Sequence, residues 1–127
     1  MKTPSKTDPV QQLITALEHS SDPQSIICCR LCGAAITSQD EQIKIGLSHR
    51  HRFTNPAGIT YGIACYQNAA GCSISEQPTE EQSWFGGYRW QLASCSECAE
   101  HLGWYYENRQ DRYFFGLIVD RLLAATQ

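Results

Sequence analysis

Apolar positions recur along this chain with two periods, and the shorter one dominates. Near the N-terminus, Val10, Leu13, Ile14 and Leu17 fall at i, i+3, i+4 and i+7, the narrow stripe of an amphipathic helix. Asp8 as N-cap, Pro9 at the first helical position and Gln11 three residues after the cap give it a start, and Ser20-Ser21-Asp22-Pro23 ends it. So short a helix is marginal alone and must dock on something. Beyond it the period falls to two. Ile43, Ile45 and Leu47 alternate with Lys44 and Gly46, and Ile59, Tyr61, Ile63 and Cys65 alternate with Thr60, Gly62 and Ala64. Tyr88, Trp90 and Leu92 line one face of a third strand, and Trp104 and Tyr106 share a face of a fourth. Asn55-Pro56-Ala57-Gly58 is a turn, and residues 67–82 form a long polar loop of a length that is often functional. In the tail, Phe114/Ile118/Leu122 and Phe115/Val119/Leu123 obey helical spacing, yet the aromatic and β-branched content suits a strand. A strand over 113–117 followed by a short helical end is expected.

Several short strands with turn signals between them predict an antiparallel all-β domain over residues 26–127, preceded by an extension, 1–25, that carries the helix. The first seven residues read as a disordered lead-in. At 127 residues the chain is the size of one domain, and 42% hydrophobic against 18% charged residues is a globular balance. The net charge of −3 comes without any cluster of Lys and Arg to neutralise phosphates, which argues against nucleic acid as partner. No apolar run approaches the ~20 residues that span a bilayer, and the polar start lacks the apolar core of a secretory signal. Seven cysteines without such a signal favour metal thiolates over disulfides and a reducing cytosol.

Two Cys-x-x-Cys pairs supply the chemistry: Cys29 with Cys32, and Cys95 with Cys98. Cys28 offers a competing register, but only Cys29 has the two-residue spacing to Cys32, and Gly33 provides the backbone freedom of a metal knuckle. Residues 33–94 separate the halves, so the expected zinc ties together distant parts of a sheet assembly. Four thiolates fill the tetrahedron and leave no place for substrate, which makes the zinc structural. His101 is an alternative fourth ligand. His49 and His51 share a strand face but bring no third ligand with them. Cys65 and Cys72 read as free thiols.

The three tryptophans, Trp84, Trp90 and Trp104, all lie near the second cysteine pair. Such a trio would hold a methylated ammonium through ring quadrupoles, or box a small neutral ring oriented by backbone hydrogen bonds. The run Ser83-Trp84-Phe85-x-Gly87-Tyr88-x-Trp90, then Cys95-x-x-Cys98, then His101-Leu102-Gly103-Trp104-x-Tyr106 resembles the thalidomide-binding (CULT) domain of the cereblon family. The resemblance reaches back to Cys29-x-x-Cys32 and Asn55-Pro56 and forward to Phe114-Phe115-Gly116-Leu117-Ile118, covering roughly residues 26–123.

The resemblance implies two antiparallel sheets pinned at one zinc, the β-tent. It also implies an aromatic cage of Trp84, Trp90, Trp104 and Tyr106 for cyclic imides: glutarimide, thalidomide analogues, uracil-like rings and cyclised imide chain ends. Backbone groups between Gln82 and Trp84, with Ser83 among them, would bond the imide, and Asn55 and Pro56 would lie on a loop facing the ligand. Gly86 replaces the usual proline, Tyr106 a common phenylalanine, and Gln82 a histidine or phenylalanine. A monomeric stand-alone domain of this kind is similar to bacterial members of the family, and a ubiquitin-ligase receptor role does not carry over to it. Two rival functions remain at this point. One is a methionine sulfoxide reductase-like enzyme, which shares the scaffold and zinc but needs a further thiol as nucleophile, for which Cys28, Cys65 and Cys72 are the candidates. The other is a reader of methylated ammonium, for which Glu80 and Glu81 would supply negative charge.

Overall fold

The alternating runs pair into two antiparallel sheets in the computed structural model, which describes residues 25–124. The smaller sheet has the order β2 (Ala35–Ser38), β1 (Ile26–Cys29), β9 (Leu122–Ala124). The larger has the order β3 (Arg50–Thr54), β4 (Thr60–Tyr66), β8 (Tyr113–Ile118), β7 (His101–Asn108), β6 (Tyr88–Cys95), β5 (Cys72–Ile74). A 3₁₀ turn at Val119–Arg121 carries the chain from β8 in one sheet to β9 in the other. No helix among the described residues is long and apolar enough to cross a membrane.

Because side chains alternate along a strand, the large sheet has two faces with different tasks. Ala93, Cys95, Leu102, Phe115 and Leu117 close one core with Ile27, Cys29 and Ile36 of the small sheet. Cys65, Tyr106 and Phe114 form a second core with Phe85, and Trp84, Trp90 and Trp104 pack against it. Register builds this aromatic face. Trp90 sits opposite Tyr106 and Leu92 opposite Trp104 on β6 and β7; across the next pair Tyr106 meets Phe114 and Trp104 meets Gly116. The buried members, Tyr106 and Phe114, each contribute roughly 1.5–3 kcal/mol of transfer free energy, so the face is anchored before any ligand arrives, with Trp90 and Trp104 half-buried on it.

Four expectations need correcting or placing. Ile43 to Leu47 is a tight turn and not a strand: Gly46 adopts a left-handed φ of 68°, Ile45 makes a lone bridge to Ser48, and Leu47 is 98% exposed. The left-handed residue breaks the alternation that the spacing suggested, and the strand begins later, at Arg50. The polar stretch 67–82 contains β5, an edge strand paired only with β6, and Thr79 bridges to Trp90. An edge strand carries polar side chains without penalty, which hid it. The helical end of the tail is a single 3₁₀ turn, and Leu122–Ala124 pairs with β1 instead. The helix expected from Asp8 onward lies outside the described residues. Leu92 shares the face of Trp90 yet stays 42% exposed.

Candidate functional site

The β1–β2 and β6–β7 turns are two copies of one knuckle. In each, the first cysteine donates its N–H to a carbonyl five residues on, Cys29 to Ala34 and Cys95 to Glu100, both at 2.8 Å. Its carbonyl accepts from the residue four on, Gly33 or Ala99, again at 2.8 Å in both. Gly33 and Ala99 take the left-handed backbone that reverses the chain, with φ of 83° and 68°. The turns bring Sγ of Cys29 within 3.7 Å of Cys98 and Sγ of Cys32 within 3.6 Å of Cys95, and all four sulfurs lie within 4.8 Å of one another. Four thiolates at ~2.3 Å from a tetrahedral zinc stand about 3.8 Å apart, so the donor set fits that ion. This is a structural zinc site that clasps the small sheet to the large one.

The other candidate ligands stand elsewhere. Cys28 lies outside the cluster. His101 donates Nε2–H to the Gly103 carbonyl at 2.9 Å. The ring nitrogens of His49 and His51 face the carbonyls of Ile43 and Ser48 at 3.2 and 3.0 Å, and the two rings form no joint metal site among the described residues. All seven cysteines are unpaired by disulfides.

On the far face of the large sheet a hollow of about 160 Å³ is lined by Asn55, Pro56, Gln82, Trp84, Trp90, Trp104 and Tyr106. Strands fix three of its walls: β6 supplies Trp90, and β7 supplies Trp104 and Tyr106 two residues apart. Trp84 comes from the loop before β6 and is held by aromatic contacts. Its ring stacks on Phe53 at 5.0 Å and 10°, and meets Trp104 edge-on at 4.9 Å and 73°. Tyr61 packs behind both, 6.0 Å from Trp84 and 5.6 Å from Trp104. Such pairs contribute ~0.5–1.5 kcal/mol each beyond their buried area, which offsets the freedom that Gly86 and Gly87 give this loop.

The loop is also pinned at its start. Trp90 Nε1–H donates to the Glu81 carbonyl at 2.9 Å, and Thr79 and Trp90 exchange backbone hydrogen bonds. Gln82 then adopts a left-handed φ of 56°, costing roughly 1–2 kcal/mol for a residue with a Cβ. Among the described residues, the Gln82 carbonyl and the Trp84 N–H make no hydrogen bond, whereas the Ser83 N–H is used on the Glu80 carbonyl at 3.2 Å. The Ser83 hydroxyl turns to Phe85, accepting from its N–H and donating to its carbonyl, and faces a neighbouring depression with Glu80 and Arg109. The side chain of Ser83 therefore does not join the hollow.

No charged residue lines the hollow. Glu80 reaches Arg109 at 3.6 Å on the other side of the loop. Burial, with a smaller contribution from Cys65, raises the Tyr106 hydroxyl above its ordinary range and keeps it neutral. Burial pushes the Cys65 thiol up to about 12. It does the same to Cys72, where Cys95 and Cys29 add to the effect. Phe53 escaped the sequence reading; it stacks on Trp84, and the one available signal was the alternation of His51 and Phe53 with arginines along β3. Phe85, read only as part of the motif around Trp84, meets Tyr106 edge-on.

No protein-family model matches the chain. Among curated proteins it is similar to cereblon from Gallus gallus, 30% identical over 103 residues covering 76% of this chain and 23% of that protein. It is similar to cereblon from Danio rerio at 30% over 103 residues, 76% of this chain and 24% of that protein. The match to cereblon from Drosophila willistoni is 27% over 124 residues, 92% of this chain and 20% of that protein. The chain thus spans about a quarter or less of the length of these relatives.

Proposed function

This chain carries a cereblon-type (CULT) domain, and from that premise we propose that it is a binding module that captures one small neutral ring, a cyclic imide or uracil-like ring, free or at a cyclised peptide end. The observation that carries the proposal is the hollow walled by Trp84, Trp90, Trp104 and Tyr106, with the Gln82 carbonyl and Trp84 N–H unengaged in the loop between Gln82 and Trp84. An imide presents an N–H flanked by carbonyls, so an acceptor and a donor two residues apart complement it, while indole faces cover the rest of the ring. Gln82, Asn55 and Pro56 border the opening in this reading. A hollow of about 160 Å³ lies well below the roughly 300–1,000 Å³ of sites for drug-sized ligands, which favours a single ring as the enclosed part. An imide ring of about eight heavy atoms at ~0.3–1.5 kcal/mol each supports affinity around micromolar, near −8 kcal/mol.

The alternatives fare worse on particular observations. A sulfoxide-reductase mechanism needs a thiol that ionises readily. Burial holds Cys65 and Cys72 near 12 and raises Cys28, and none of the three lines the hollow. We therefore propose a domain without catalytic activity of its own. A methyl-ammonium reader gains from a carboxylate at its cage, and none is present among the lining residues. Unpaired thiols fit a reducing cytoplasm, and we propose a monomer with residues 1–25 as a separate extension. Trp90→Ala and Trp104→Ala are each expected to abolish glutarimide binding by calorimetry while the zinc content stays at one per chain. Wild-type affinity in both variants rules the cage out as the binding site.

A further inference from the structure

We propose that the Tyr106 hydroxyl is a specificity-determining group of the hollow, selecting rings that carry a second hydrogen-bonding atom beyond the imide. The inference rests on the ring-binding reading above and adds which rings are preferred. Tyr106 is 1% exposed and lines the hollow, so the little surface left to it opens there. Its ring is locked in place: it stacks on Phe114 at 4.9 Å and 20°, and Phe85 meets it edge-on at 4.8 Å. Across the strand pair, Gly116 leaves room for it, since a Cβ at that position would come within 3.1 Å of Tyr106 Cε2. The hydroxyl therefore has a fixed place and few rotational choices.

This hydroxyl makes no hydrogen bond among the described residues, and unlike Ser38 Oγ or His49 Nε2 it is not sealed off from solvent. A ring that shuts this hydroxyl off from solvent without replacing its hydrogen bond loses affinity, so the site favours an occupant that supplies one. The other polar groups around the hollow are differently committed. The Trp90 N–H is already bonded to the Glu81 carbonyl, and Asn55 Oδ1 accepts from the Ile59 N–H at 2.9 Å. Two remaining backbone groups, the Gln82 carbonyl and the Trp84 N–H, suit the imide. The phenol, which both donates and accepts, then addresses a different edge of the same ring. A ring with only CH₂ groups on that edge leaves it unsatisfied, whereas a ring N–H or carbonyl there pairs with it.

Glutarimide and dihydrouracil form a matched pair for the test, because they differ by one ring CH₂ replaced by N–H and keep the imide. Both are titrated by calorimetry into the zinc-loaded wild type and into Tyr106→Phe, which keeps the ring packing and removes only the oxygen. A melting curve and zinc content of each protein report that both are folded. The wild type is expected to prefer dihydrouracil by roughly 3- to 10-fold, the worth of one net hydrogen bond. Tyr106→Phe is expected to erase that preference. An unchanged affinity ratio in the variant overturns the inference while leaving the cage reading intact. Failure of both rings to bind the folded wild type overturns the cage reading and this inference with it.

Discussion

Four residues after the first cysteine of each knuckle the backbone must turn left-handed, and the chain meets that demand with Gly33 in one case and Ala99 in the other. A Cβ in this conformation is destabilising by roughly 1–2 kcal/mol. Open space surrounds the Cα of Gly33, so Gly33→Ala is expected to lower the stability of the zinc-loaded protein by about 1 kcal/mol through the backbone alone. Ala99→Gly is expected to be neutral or mildly stabilising. Thermal melts of the two variants against wild type check the contrast. Cys65 gives a pH signature of its own. Its folded pKa of about 12 exceeds the ordinary 9.0, so its contribution to stability is complete below pH 9 and is lost as the pH climbs towards 12. In denaturant titrations between pH 8 and 11, Cys65→Ala should show a shallower alkaline decline than wild type. At this scale the sequence was most legible where chemistry is local. A two-residue cysteine spacing names its own knuckle, and three tryptophans near it name an aromatic site. Phe53 was invisible because its value depends on stacking against Trp84, which lies 31 positions along the chain.

Among the elements, the hollow depends on one loop being held by one hairpin. Strands β6 and β7 present Trp90, Trp104 and Tyr106 from a paired sheet, but Trp84 rides on a segment containing Gly86 and Gly87. The β3–β4 hairpin supplies its support through Phe53 and Tyr61. Phe53→Ala is therefore expected to weaken ring binding about 10-fold while leaving zinc in place, the loss of a stacked pair together with its pre-organising effect. Calorimetric titration with glutarimide measures it. Strand β7 has a second requirement just before Trp104. A Cβ on Gly103 would land on the Gly116 carbonyl and come within 2.8 Å of Leu117 Cα, both backbone groups of β8. Gly103→Ala should cost at least ~1–3 kcal/mol by forcing the two central strands apart, read as a lower melting temperature. Strands with regular alternation, β4, β6, β7 and β8, were legible in the sequence. Those whose pattern is broken were not: the left-handed Gly46 displaced β3, and β5 and β9 are three-residue edge strands with too little chain to show a period.

For the molecule as a whole, the clasp and the hollow lie at opposite faces of one sheet, and the sheet joins them. Cys95 ends the strand that bears Trp90, and Cys98 precedes the strand that bears Trp104 and Tyr106. Metal bound at the knuckle thereby fixes the strand pair that forms the walls. Structural zinc contributes an apparent ~10–16 kcal/mol while a domain is net stable by only ~5–15, so stripping the zinc with a chelator should unfold the described domain and not merely loosen it. Loss of near-ultraviolet dichroism together with strand dichroism on chelation, reversed by added zinc, is the expected result. The zinc site and the antiparallel class were readable from spacing and periodicity. The division of the large sheet into one face for the core and one for the hollow was not, because it follows from pairings far apart in the chain. The central claim, a neutral ring enclosed by indoles, is tested most directly by following tryptophan emission of the zinc-loaded protein as glutarimide is added. A saturable change with a midpoint in the micromolar range is expected; emission that drifts linearly with ligand and never saturates would mean that the indoles enclose no ring.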